Sequence, residues 1–175
     1  MIIRATNKLL NISGIKPVKF SNSSTEILPG DWYAKTVKTG RLGKLVVLFF
    51  HNNAKISIIC PTKSLNIAIK QLPDRVKSYL ARHSYDSLID KFDLSSEIQI
   101  FTTESKSTLS FMNQLTANIE WQLSKVENFD NIDFNKLEDI HSDYLFSIDG
   151  KSGKYETTID ILDRIKESNS KKACP

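Results

Sequence analysis

The stretch Lys44–Cys60 reads KLVVLFFHNNAKISIIC. From Leu45 to Phe50 every residue is apolar, so both faces of an extended chain must be kept from water here. That is the mark of a central strand covered on both sides. His51–Ala54 holds two asparagines, which tolerate the left-handed backbone of tight turns, and reads as a hairpin loop. Lys55–Cys60 then returns with Ile56, Ile58 and Cys60 on one face, and Pro61 closes it.

On the N-terminal side, Met1–Thr6 reads as a short opening strand and Lys8–Ile12 as one helical turn stopped by Gly14 and Pro17. Residues 17–30, PVKFSNSSTEILPG, read as a loop, and Asp31–Thr39 as a strand rich in aromatic and β-branched residues. On the C-terminal side the periodicity changes. Leu65, Ile69, Leu72, Val76 and Leu80 form a helical stripe. Pro73 is expected to break or kink it and to open a second helix. Tyr85–Leu94 reads as a short helix or turn and Glu97–Thr102 as a strand. Thr108–Val126 is a helix with Ser107 as its N-cap. Helices follow over Asp133–Phe146 and Glu156–Ser168, with a turn at 149–153 between them.

Strands cluster early and helices late. The expectation is an α+β fold, a largely antiparallel sheet of 4–5 strands with helices packed on one face. This two-layer arrangement makes one domain over residues 1–168, followed by a frayed tail at 169–175.

Charge is unevenly spread. The chain carries 24 Lys+Arg against 20 Asp+Glu, yet no Asp or Glu lies between Asp31 and Asp74. The first third is basic and the last third acidic, a dipole that can steer an anion or dock one copy of the chain on another. Cys60 and Cys174 are too few for a disulfide framework, and no apolar run reaches membrane-spanning length. The chain therefore reads as a reduced, cytoplasmic protein with no membrane contact.

Catalytic patterns are scarce. His51, His83 and His141 are scattered, and Asp139 and Asp143 share a helix face from which His141 points away, so no metal site or cofactor is expected. Ser13–Lys16 matches a bare S-x-x-K without its partner motifs. The GKSGK run at 150–154 lacks the glycine that a phosphate loop needs five residues earlier. The acid-free strands cannot supply the carboxylates of a two-metal nuclease, and no catalytic residue is assigned.

What remains is binding. Trp32 beside Lys35 and Lys38 could stack a base while the lysines meet phosphates, and Lys44 extends the basic stretch. Lys106 and Ser107 stand at a helix start that favours anions. The leading expectation is a non-enzymatic module for a protein or phosphate-bearing ligand. The alternatives are an enzyme acting on a nucleotide or nucleic acid around Lys8, Lys106, Ser107 and Asn113, and a homo-oligomeric interaction protein.

Three segments taken in order, MIIRATNKLL at 1–10, GDWYAKTV with KLVVLFFHN at 30–52, and SKSTLSFMNQL at 105–115, resemble an uncharacterised family of small bacterial proteins. The resemblance covers about the first 125 residues, and the ending after about residue 130 departs from it. The family has no assigned activity, so the resemblance implies no reaction. It does single out Arg4, Thr6, Lys8, Trp32, Asn52, Lys106, Ser107, Met112 and Asn113.

Overall fold

The computed structural model describes residues 1–18, 30–92, 94–147 and 153–172. Five strands form one sheet: β1 (Ile2–Ala5), β2 (Trp32–Lys38), β3 (Leu45–His51), β4 (Ser57–Cys60) and β5 (Gln99–Thr102), in the order β4-β3-β2-β1-β5. The meander β2-β3-β4 is antiparallel, with Phe49 opposite both Ala34 and Ile58. β1 lies between β2 and β5 and is parallel to both. The fold is α+β, as its element order implies, but the sheet is mixed. Two helical excursions bring the chain back beside β1 in its own direction. One is α1 (Asn7–Ser13). The other is α2 (Leu65–Arg82) with a 3₁₀ stretch at Asp86–Phe92.

The expectation of helices on one face is corrected. α1, α2, the 3₁₀ stretch and α5 (Thr158–Lys172) build a core with Ile3, Trp32, Val47, Phe49 and Ile58 on one face of the sheet. α3 (Lys106–Ser124) and α4 (Phe134–Ser142) build a second core with Tyr33, Val46, Leu48, Phe50 and Ile59 on the other. The cause lies in β3 itself, where Val46 to Phe50 are all buried. A strand with no polar face needs two covers, and a two-layer fold would leave Leu48 and Phe50 in water.

Four local expectations also change. α2 runs unbroken through Pro73. Its buried stripe of Leu65, Ala68, Leu72, Val76 and Leu80 outweighs the one backbone hydrogen bond that proline removes. α3 is capped by Ser105, whose hydroxyl accepts from Thr108 N, and Ser107 lies inside the first turn. α4 stops at Ser142, freeing Phe146 for a two-residue strand β6 (Phe146–Ser147) paired with β7 (Tyr155–Glu156). α5 continues to Lys172, beyond the expected start of the tail. The loop residues 19–29, residues 149–152 of the GKSGK turn and residues 173–175 lie outside the described residues.

α4 also protects the outer edge of β4. Glu138, fully buried, accepts the Ile59 N–H at 2.8 Å. Its carboxylate is gripped from α2 by Arg75 at 2.6 Å and Arg82 at 3.0 Å. An edge strand that offers free N–H groups is a template for unwanted pairing, and a buried carboxylate is one way to close it. Burial pushes the Glu138 carboxyl up, against the pull of Arg75, the Ile59 amide and Arg82.

At the other end of the meander, Gly30 is required by close approach. A Cβ there would stand 2.8 Å from His51 Cε1 and 3.1 Å from Asn53 Cβ. The His51 ring cannot retreat, since Trp32 and Phe92 pack on it with centroids at 4.9 and 5.3 Å. Gly30→Ala is expected to cost about 1–3 kcal/mol, the range for overpacking a filled site, read as a lower urea midpoint. An unchanged midpoint would show that the ring can move.

Candidate functional site

β1 ends at Ala5, opposite Ala34, while β2 continues to Lys38. The last turn of β2 is therefore paired by β3 on one side and vacated by β1 on the other. The vacated space is a groove of about 330 Å³. Thr6 and Lys8, where α1 departs, form one wall. Asn113, Thr116, Ala117 and Glu120 of α3 form the other, and Lys35, Thr36 and Lys38 form the floor. The α3 residues recur at three- and four-residue spacing and so share one face of their helix. α1 leaves on one face of the sheet and α3 covers the opposite face, so the groove opens at a switch in chain direction. Open sheets built on parallel strands hold their ligands at such points.

The groove is lined mostly by polar and cationic residues, although most of the surface they turn to it is apolar. Three lysines face a single carboxylate, Glu120. One Glu120 oxygen accepts the backbone N–H of Lys38 at 3.1 Å, taking over a donor on the vacated edge of β2. The Lys35 ammonium donates to Asn113 Oδ1. Burial pushes the Lys35 amine down; Glu120 opposes this and Lys8 adds to it. Thr116 turns its hydroxyl onto Met112 O at 2.6 Å and is satisfied within its own helix. The hydroxyls of Thr6 and Thr36 are buried with no hydrogen-bond partner among the described residues. Each is bonding capacity the fold leaves unused, at a cost of about 1–3 kcal/mol where it stays unmet.

Five of the residues singled out from sequence, Thr6, Lys8, Lys35, Lys38 and Asn113, line this groove. The others lie elsewhere. Trp32 is 1% exposed, packed in the core against His51 and Phe92, and has no face to offer a base. Lys44 lies over the Phe129 ring at 5.3 Å. Lys106 and Ser107 are exposed in the first turn of α3 and do not line the groove.

Arg4 is held between Asp31 and Glu104, the latter at 3.0 Å, with its guanidinium 5.7 Å from the Phe101 ring centre. Beside it Thr108 donates to Asn52 Oδ1 at 2.9 Å. Thr108 also bonds Tyr33, whose phenol burial pushes up. These residues tie the start of α3 to β1–β3 as a polar clamp. Of the remaining cations in the acid-free stretch, Arg41 donates to Leu123 O at 3.2 Å, closing the end of α3. Lys55 sits over the Phe50 ring at 5.9 Å.

Sequence reading missed Thr36, Thr116 and Glu120. Their spacing was visible, with Glu120 two turns beyond Asn113. Nothing in the sequence says that β1 stops short of β2, and without that gap there is no groove for them to line. Among the described residues no three His, Cys, Asp or Glu side chains gather closely enough to hold a metal ion. No described helix is long and apolar enough to cross a membrane.

A family model described as a domain of unknown function, DUF6933, matches residues 2–160. The match continues past residue 130, where the resemblance read from sequence was expected to end. No curated protein and no solved structure matches the chain.

Proposed function

The chain belongs to the DUF6933 family, and we propose that it is a binding module whose lysine groove takes a small phosphate-bearing ligand. One observation carries this reading: Lys8, Lys35 and Lys38 line a single groove along the vacated edge of β2, opposed there by one carboxylate, Glu120. Lys8 already disfavours the charge on Lys35, and an anion between like charges removes such repulsion. An anion would also oppose the downward push that burial gives the Lys35 amine.

The enzyme alternative required Lys106 and Ser107 to share a pocket with Lys8 and Asn113, and they do not line this one. A cytoplasmic setting suits the reading, since the buried Cys60 thiol, pushed up to about 12 by burial, stays protonated and unreactive.

Calorimetric titration with inorganic phosphate, glucose 6-phosphate and ATP tests the proposal. At least one is expected to bind, more weakly as sodium chloride rises from 50 to about 300 mM. The triple substitution Lys8→Ala, Lys35→Ala, Lys38→Ala should abolish that binding while leaving the circular dichroism spectrum unchanged. Equal binding by the triple variant, or no binding by any probe at millimolar concentration, would refute it.

A further inference from the structure

Glu120 is out of place in a site for a bare anion. It stands in the same groove as Lys8, Lys35 and Lys38, where its negative charge opposes any phosphate that enters. Its Oε1 is engaged by Lys38 N, and no hydrogen bond to Oε2 is made among the described residues. A carboxylate oxygen facing a groove is an acceptor only, suited to hydroxyl donors of a ligand rather than to oxyanions. Three lysines against Glu120 leave two positive charges, which matches one phosphate monoester near neutral pH.

Around the charges the lining is Thr, Asn and Ala. No aromatic side chain lines the groove, so a nucleobase would find nothing to stack on. From these features, and resting on the binding reading above, we infer that the groove selects a phosphorylated polyol. The phosphate meets the lysines, and neighbouring hydroxyls donate to Glu120 and pair with Asn113.

The discriminating variant is Glu120→Gln, which keeps an oxygen for Lys38 N–H and removes the charge. Titrations of the wild-type chain and this variant are run with glucose 6-phosphate, inorganic phosphate and ATP. The wild type is expected to bind glucose 6-phosphate more tightly than inorganic phosphate or ATP. In Glu120→Gln, glucose 6-phosphate should weaken by about tenfold, the loss of charge-assisted hydrogen bonds, while inorganic phosphate tightens as repulsion is lifted.

If both ligands tighten together in the variant, the groove is a plain anion site and the polyol inference fails while the binding reading stands. ATP binding tighter than glucose 6-phosphate in the wild type would also overturn it. Absence of binding by every probe would remove the binding reading itself. Thermal midpoints of the two proteins, expected to agree, exclude misfolding as the cause of any loss.

Discussion

Glu138→Ala is expected to destabilise the fold by about 3 kcal/mol, the lower end of the cost of breaking a buried ion pair from one side. The carboxylate is fully buried and holds three partners on two elements: Ile59 N of β4, and Arg75 and Arg82 of α2. Removing it leaves the two guanidiniums facing each other across a cavity and exposes an unpaired N–H on an edge strand. The estimate sits at the low end because Arg75 and Arg82 keep about a quarter of their side-chain surface in water. In a chain of this size about 3 kcal/mol lowers the thermal midpoint by roughly 6–12 °C. Glu138→Gln, which keeps an acceptor for Ile59 but not the charge, should fall between the two. A loss below about 1 kcal/mol in the alanine variant would mean that the arginines find water without penalty and that α4 closes β4 by packing alone.

Acid should unfold this protein well above the carboxylate range, because two histidines are buried as neutral rings. His51 Nδ1 accepts the Ala54 N–H at 3.0 Å, so the nitrogen that would take a proton already holds one in a hydrogen bond. Burial pushes His51 down to about 3, with Lys55 adding to it. His141, stacked on Tyr144 at 5.4 Å, has neither ring nitrogen hydrogen-bonded among the described residues. Burial pushes it down to about 4.

Both folded values lie below the unfolded 6.5, so the unfolded chain binds more protons as pH falls. Their contribution is complete above about pH 6.5 and is lost as pH drops toward 4, by roughly 1.4 kcal/mol per pH unit for each ring. Glu138 works in the opposite sense, since a raised carboxyl takes its proton more readily in the folded state, and it offsets part of the loss as pH falls toward the carboxylate range. Urea midpoints between pH 7.5 and 4.5 measure the slope. His141→Phe should roughly halve it above pH 5 and leave stability at pH 7.5 equal or higher, because it removes two unmet polar atoms. A slope unchanged by His141→Phe would place the acid sensitivity elsewhere.

The two expectations rest on residues of unequal legibility. His51 directly follows the apolar run LVVLFF, and although it reads as the start of a hairpin loop, the structure makes it the buried last residue of β3. Glu138 lies in an acidic stretch that reads as a solvated helix face, and no local pattern separates it from the half-exposed Asp139 beside it. The difference is range. Strand burial is written in neighbouring residues, whereas the partners of Glu138 stand 79 and 63 residues away.

The same limit governs the architecture. The meander, the α3 stripe and the α+β class were legible because alternation and helical spacing are local properties of the chain. The solid apolar run of β3 already required cover on both faces. Element order pointed instead to one layer of helices, and burial of Val46 to Phe50 decided between them.

The lysine groove divides along this line as well. Sequence alone determined that the stretch between Asp31 and Asp74 carries cations without carboxylates, so its strands supply no acid for metal-bound chemistry. Much of that stretch is buried strand. Its remaining cations part company: Lys35 and Lys38 enter the groove, and Arg41, Lys44 and Lys55 serve other contacts. Only the tertiary structure decided this, through the shortness of β1 beside β2 and the crossing of α3 above both. Strand length sets where backbone and side chains are left uncovered. That length is fixed by pairing between residues far apart in the chain, which no local pattern records.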